Sequence, residues 1–517
     1  MIRRACVLAL LALSACNGAT EERPPNVLFI SLDTLRADHL HCYGYERETS
    51  PNIDRLASEG VLFERTFSTT SWTLPSHLSM FTGLALSVHG VCDDRLWESL
   101  KDEKLPFRGE LLAEKLKDAG YRTGGFYTAP YLDPKFGFGD GFDVYERIGH
   151  PVYSHPVHSL RLEKLKQAGD NDAIRAWRDA EPELFDSHRP TADEAVDAAL
   201  EFIEQEGTAP FFCFLHIFDV HNDYVPPAPF DTMFDPDYTG SITGRRITSP
   251  KSPMRKTMAK EDLDHVIALY DGEIAWVNSQ MGRLLARLDE LELNENTLIV
   301  LTSDHGEEFF EHGHKTHRIS LFTESLHVPL IMRLPDALPA GQRVAGSSGI
   351  VDIAPTVYSL TGVNAPAALN GIDLAPIARG EAPNSERDYI SELLLFQQGK
   401  PSPTRKLSVL SGSRHAVYET RGGETILSAT WDLDSDPDEA SEGDATTEAD
   451  RQRVEKARKL YAALRAASRD RGVDVQGLTD AERRELSAAG YAGTEDAPDA
   501  ARGSERLCLD GCVWPDP

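Results

Sequence analysis

Four short stretches of the chain are almost continuously apolar, and three of them stop at residues able to carry chemistry. Val27-Leu28-Phe29-Ile30-Ser31-Leu32 runs into Asp33, and Pro210-Phe211-Phe212-Cys213-Phe214-Leu215 into His216. Leu298-Ile299-Val300-Leu301-Thr302-Ser303 runs into Asp304 and His305, and Val328-Pro329-Leu330-Ile331-Met332 into Arg333. Apolar runs without alternation are what strands buried on both faces require. Between them the period becomes helical. Thr191-Ala192-Asp193-Glu194 has the form of a capping box ahead of a helix from Ala195 to Glu206, and Asp262 to Leu291 keeps helical spacing. Buried strands alternating with helices predict an α/β fold, a mostly parallel sheet sandwiched by helices. Ligands in such sheets gather at the carboxyl ends of the strands, which here carry Asp33, His216, Asp304 and His305.

The pattern weakens in two places. Residues 150–190 are charged and weakly patterned, which predicts an insertion near the mouth of the site. Near residue 385 the character changes, dividing a catalytic domain (26–384) from a small C-terminal α+β subdomain (385–517). There Arg414 to Trp431 alternates like an antiparallel hairpin turning at Arg421-Gly422-Gly423. Asp432 to Asp450 holds nine acids and no base, the composition of a solvated acidic loop rather than a calcium site. Thr479 to Glu482 caps a last helix ending near Gly490, and no internal repeat is present.

The 517 residues are enough for about two to four domains with real cores. A hydrophobic share of 41% excludes a wholly disordered chain. The net charge of −30 repels a phosphate backbone and excludes nucleic acid as a general partner. An anionic substrate therefore needs local cations. No apolar run reaches the roughly 18 residues of a membrane span. Residues 1–15 instead read as a signal peptide, with Arg3 and Arg4 before a short apolar stretch. Leu13-Ser14-Ala15-Cys16 resembles a bacterial lipobox, which makes Cys16 a lipid-anchored N-terminus on a polar tether (16–25). Asn17 after it points to the outer membrane of the cell envelope; the alternative is an ordinary signal peptide cut near Ala15. In that oxidising compartment Cys508 and Cys512 can close a small loop. Cys213 reads as a packed thiol, while Cys42 and Cys92 cannot be paired from sequence.

Thr73-Leu74-Pro75-Ser76-His77 reads as a hydroxyl nucleophile at a helix N-terminus. Pro75 suits a first helical turn, and His77 lies one turn along the same face as Thr73. Free N–H groups at such an end stabilise an anion and lower the cost of an alkoxide.

That segment, continuing to Thr82-Gly83, resembles the signature of the sulfatase family within the alkaline-phosphatase-like superfamily. Other motifs stand in matching order: Asp33 to Gly44, Ser50 to Ala57, Phe214 to His221, Tyr270 to Ile274, Ser303 to Glu307 with His317 and Phe322 beyond, Val351 to Thr356, and Asn370-Gly371. The resemblance covers roughly residues 26–375, with a weaker echo at Asp432 to Pro437. It implies an alkaline-phosphatase-like fold and a metal-dependent hydrolase of sulfate or phosphate esters. By that resemblance Asp33, Thr73, Asp304 and His305 hold one divalent ion, Ca²⁺ in the family. An oxygen-rich set suits Ca²⁺ or Mg²⁺, and the imidazole pulls toward Mn²⁺ or Zn²⁺. His221 and His317 resemble the pair that holds the ester oxygens and protonates the leaving group. His312 and His314 are nearby extras, and His216 is either a support for the site or a histidine closing its strand.

The departures alter the chemistry. The family nucleophile is Cys or Ser oxidised to formylglycine, whereas Thr73 cannot become an aldehyde by that route. His77 replaces the signature Arg, Thr34 replaces the second Asp after Asp33, and Asp94 replaces a common Asn. The lysine many members carry beyond the nucleophile has no match near Thr123 to Tyr131, so the pocket has fewer expected cations. A hydrated aldehyde expels sulfate by breaking its own C–O bond, which a sulfated Thr cannot do. A phospho-Thr is cleared by in-line attack of water on phosphorus. Two further readings stay open at this point: a transferase passing a phosphoryl group from Thr73 to another alcohol, and a non-catalytic lipoprotein binding anionic glycans.

Overall fold

All seven residues of strand β1 (Asn26–Leu32) are buried, and its side chains alternate between two separate cores. Val27 and Phe29 enter a core closed by α2 (Thr73–Thr82), α3 (Leu112–Asp118) and α6 (Ile353–Thr361). Leu28, Ile30 and Leu32 enter a second core under α1 (Pro51–Glu59), α4 (Ala192–Ile203) and α5 (Lys260–Glu290). Phe29 stacks on Phe81 of α2 at 5.7 Å and meets Phe214 edge-on at 5.7 Å. A void left by a side chain of that size costs about 3–5 kcal/mol, so these contacts fix how α2 lies on the sheet.

The structure is a computed structural model that describes residues 23–441. Residues 92–106, 108, 150–160, 163, 166–167, 181–189, 249–251, 368, 385–386, 398–399 and 422–423 are not described. The expected lipobox and Cys16, Cys92 and Asp94, the Cys508–Cys512 loop, the last helix, most of the acidic run and much of the insertion lie outside the described residues. No described helix is long and apolar enough to cross a membrane.

The remaining strands of the main sheet are β2 (Val61–Phe67), β3 (Arg122–Tyr127), β4 (Val144–Arg147), β5 (Phe211–Ile217), β6 (Thr297–Thr302), β9 (His327–Arg333) and β10 (Gln342–Gly349), while β7 (Glu308–Phe309) and β8 (Lys315–Thr316) pair in a small sheet of their own. They run in the order β10-β2-β9-β6-β1-β5-β3-β4. β1 lies between β5 and β6, parallel to both, so the ends of three neighbouring strands face one edge. β9 is antiparallel to β2 and β6, so Arg333 at its end pairs with Ile299 near the start of β6, far from that edge. His216 is the penultimate residue of β5 rather than its terminator. The helix expected from Ala195 begins at Ala192, and the capping box does not form. The Thr191 hydroxyl donates to Asp219 at 2.7 Å, and Asp219 also accepts the N–H groups of Thr191 and Ala192 at 2.6 and 3.1 Å. A carboxylate just beyond β5 thus caps the helix from another element.

The C-terminal region is a four-stranded antiparallel sheet of β11 (Asp388–Gln397), β12 (Lys400–Ser411), β13 (Arg414–Arg421) and β14 (Glu424–Asp432). The expected hairpin is β13–β14. Strand β11 docks on the catalytic domain: Ser391 Oγ donates to the Ser68 carbonyl at 2.6 Å, and the Glu392 N–H to that of Thr69 at 2.8 Å. The acidic run is not wholly solvated, because Glu439 is only 2% exposed. Its carboxylate meets His415 and accepts the Thr323 N–H at 2.9 Å. Its carbonyl accepts from His312 Nε2 at 3.1 Å, while His312 Nδ1 donates to Glu324 at 2.8 Å. His312, stacked on Phe322 at 3.8 Å, is therefore part of a latch between the two regions. Both its ring nitrogens face acceptors, which favours the imidazolium. Burial opposes that charge, but the hydrogen bond and charge of Glu324, with Glu439, prevail and hold the pKa up at about 9.

A histidine whose pKa rises on folding contributes fully below its unfolded value of about 6.5, and the contribution disappears as pH climbs through the folded value. His312→Gln is expected to lower the melting temperature most near pH 6, with the gap to the parent closing by about pH 10. A gap independent of pH in thermal unfolding rules out the charged latch.

Candidate active site

Asp33 follows β1, and Asp304 and His305 follow β6; all three are fully buried. The chain must turn sharply after Asp33. Thr34 does so in the left-handed region at φ 54°, a conformation that costs a β-branched residue of the order of 1–3 kcal/mol. Neighbouring groups hold it there. The Thr34 hydroxyl donates to the Val220 carbonyl at 3.0 Å, its N–H to Asp304 Oδ1 at 3.2 Å, and its carbonyl accepts from Tyr270 at 2.8 Å. Thr34 is thus a brace, where the family has a second Asp. On the other strand Ser303 Oγ donates to the His305 carbonyl at 2.8 Å and accepts the Leu35 N–H at 3.0 Å. Gly306 is obligatory next to His305, since a Cβ there collides with the Glu324 carbonyl oxygen.

Both oxygens of Asp33 and Oδ2 of Asp304 are buried without a hydrogen-bond partner. Burial raises the pKa of Asp33 well above the carboxylate range, and the charges of Asp304 and Glu307 add to the rise. Burial also raises Asp304, with His77 partly opposing. Ligand atoms of Asp33, Asp304 and His305 all lie within 4.8 Å of one another. His305 Nδ1 donates to the Gly306 carbonyl at 2.9 Å, which turns the lone pair of Nε2 inward. Orphaned carboxylates beside a presented imidazole fit a divalent cation, because two buried negative charges are costly until a positive charge joins them.

Thr73 is the first residue of α2 and 2% exposed, with Oγ1 at 3.3 Å from His305 Nε2. The structure therefore brings together Asp33, Thr73, Asp304 and His305. It places His77 differently from the other expected catalytic residues. Its Nδ1 donates to the Thr73 carbonyl at 2.8 Å, and its Nε2 accepts from Ser31 at 2.9 Å. With both nitrogens engaged by protein and Asp304 Oδ2 3.6 Å from Nδ1, His77 supports the helix end from beneath. Burial lowers its pKa and keeps it neutral. His216 lies in the same layer, with Nε2 3.2 Å from Asp33 but not aligned for a hydrogen bond.

Across the pocket His221 and His317 stand with ring centres 4.8 Å apart, and His317 is 4.6 Å from His305. His221 Nδ1 donates to the Asn222 carbonyl at 2.7 Å, and its ring stacks on Phe218 at 4.1 Å. His317 Nδ1 donates to Glu307 at 2.9 Å. Both rings therefore present Nε2. Burial depresses His221 to about 3 with the help of His317, and His305 to about 3 likewise. Burial and the charge of Arg318 depress His317 to about 3. Burial thus keeps all three neutral.

Arg318 is the residue that sequence reasoning missed. Its N–H donates to the Ser71 carbonyl at 3.0 Å, and its guanidinium lies 4.1 Å over the ring of Trp72, next to Thr73. The pocket is thus less poor in cations than expected. The available signal was a basic residue directly after His317.

The sulfatase family profile matches residues 25–363, and that of the N-sulphoglucosamine sulphohydrolase C-terminal region matches 310–459. The chain is 24% identical to an N-acetylglucosamine-6-O-sulfatase of Bacteroides thetaiotaomicron, over 72% of this chain and 75% of that one. It is 27% identical to a multifunctional alkaline phosphatase superfamily protein of Trinickia caryophylli, over 70% of this chain and 78% of that one. The phosphonate monoester hydrolase of Agrobacterium radiobacter has the same fold, with a TM-score of 0.65 at 24% identity over 86% of this chain and 96% of that one. With the profile spanning the strand ends of Asp33 and Asp304 and the helix of Thr73, the chain belongs to the sulfatase family of ester hydrolases.

Proposed function

We propose that this enzyme hydrolyses phosphate or sulfate esters with Thr73 as its nucleophile, and that phosphate esters are the better substrates. The observation that carries this reading is the Thr73 hydroxyl, buried at the first turn of α2 and 3.3 Å from His305 Nε2, beside carboxylate oxygens that lack partners. A divalent cation held by Asp33, Thr73, Asp304 and His305 supplies Lewis-acid stabilisation of the alkoxide and of the ester oxygens. The imidazole in that set favours Mn²⁺ or Zn²⁺ over Ca²⁺.

The residues divide the work as follows. Thr73 Oγ1 gives up its proton to water and bonds to phosphorus or sulfur. The bond to the leaving oxygen breaks, and that oxygen takes a proton from Nε2 of His317 or His221. Water then attacks the Thr73 ester and returns a proton to the imidazole, while Oγ1 departs and recovers its own. An anionic ester in front of the two rings favours the protonated form that burial alone disfavours. Phosphorus is preferred because a sulfated Thr lacks the second hydroxyl that lets a hydrated aldehyde clear sulfate. The lipobox-like Leu13 to Cys16 supports anchoring in the outer membrane.

Thr73→Ala is expected to lower kcat on aryl phosphates by roughly three orders of magnitude or more with the fold intact. Thr73→Ser retains part of the activity, and mass spectrometry of quenched enzyme finds phosphate on Thr73. Turnover by Thr73→Ala at the parental rate ends this reading. Asp304→Asn is expected to abolish about one equivalent of divalent metal per chain in elemental analysis; equal metal in parent and variant removes the assignment. Cys16→Ser is expected to move the protein from the membrane to the soluble fraction, and unchanged fractionation refutes the lipid anchor.

A further inference from the structure

His317 reaches the pocket from a loop, and loops leave a long side chain many rotamers. Three features remove that freedom. The residues on either side, Thr316 and Arg318, adopt left-handed φ of 64° and 65°, and the Arg318 N–H ties the chain to Ser71 just ahead of the Thr73 helix. Glu307, with no exposed surface, accepts His317 Nδ1–H at 2.9 Å. The other oxygen of Glu307 lies 3.4 Å from Asn222 Nδ2, and the Asn222 carbonyl holds His221 Nδ1.

We propose that Glu307 is the positioning residue of the site: its carboxylate fixes the tautomer and ring plane of His317 so that Nε2 meets the leaving oxygen. The inference rests on the reading that His317 serves that oxygen. A buried carboxylate is a costly way to hold a loop, because a neutral amide or a packed apolar residue does so without the desolvation of a charge. A carboxylate against Nδ1 is the acceptor that commits the ring to presenting Nε2. Its position two residues after His305 links the ring to the metal-binding strand end, so the donor to the leaving oxygen and the group holding the nucleophile share one rigid segment.

A double-mutant cycle of Glu307→Gln and His317→Ala, assayed on p-nitrophenyl phosphate and phenyl phosphate, tests this. Glu307→Gln is expected to lower kcat at least tenfold more on phenyl phosphate, whose leaving group needs help, than on p-nitrophenyl phosphate, with KM changed less than threefold. The double variant is expected within about threefold of His317→Ala alone, because Glu307 acts through that ring. Losses that multiply, or that fall equally on both substrates, overturn the proposal. Full activity of Glu307→Gln does the same. Glu307→Asp, expected to recover part of the lost rate on phenyl phosphate, guards against a folding defect, as do matched melting temperatures. Failure here leaves the Thr73 reading intact, since a phosphate adduct on Thr73 is detected independently of how fast the leaving group departs.

Discussion

Two carboxylates, Asp33 and Asp304, sit side by side at the ends of adjacent parallel strands, both without exposed surface. Three of their four oxygens accept no hydrogen bond, and burial with mutual repulsion raises the proton affinity of Asp33. An arrangement of this kind is unfavourable in isolation and becomes favourable only with a cation among the oxygens. Much of the surrounding structure keeps the pair from relaxing. Thr34 is held in a left-handed turn, Ser303 ties the two strand ends together, and Tyr270 reaches from α5 to accept the Arg36 N–H at 3.0 Å while donating to the Thr34 carbonyl.

The second demand is that two loops meet at this point. One leads into the Thr73 helix, and the other carries His317 and Arg318. The C-terminal sheet contacts both. Strand β11 bonds to the carbonyls of Ser68 and Thr69 ahead of Thr73. Glu439 reaches the other loop through His312 and Thr323. The Arg318 N–H joins the two loops directly at Ser71. The C-terminal region therefore buttresses both loops of the active site.

The replacements at the signature belong together physically. A Thr needs no oxidation, and a His four residues on fits between the Thr73 carbonyl and Ser31, where a longer guanidinium has a different reach. The cation absent from position 77 is supplied by Arg318, whose guanidinium lies 4.1 Å over the Trp72 ring.

Much of this was legible along the chain because burial on both faces leaves an unbroken apolar run. Strands β1, β5, β6 and β9 announced themselves in that way, and the ordered motifs singled out Asp33, Thr73, Asp304, His305, His221 and His317, which the fold brings to one place. Strands β2, β3 and β10 did not, since β2 carries Glu64 and Arg65, β3 contains Gly124 and Gly125, and β10 lies at the sheet edge with exposed polar residues. The sense of β9 was also invisible, because an apolar run reads the same in either direction. Sequence by itself determined which residue types stand at strand ends and helix starts. Only the tertiary structure decided that both ring nitrogens of His77 are engaged by Thr73 and Ser31, that Glu307 pairs with His317 and Arg318 lies over Trp72, and that Asp219 caps a helix begun elsewhere. Those outcomes depend on which hydrogen-bond partners packing brings within about 3 Å, and local pattern carries no information about partners tens to hundreds of residues away.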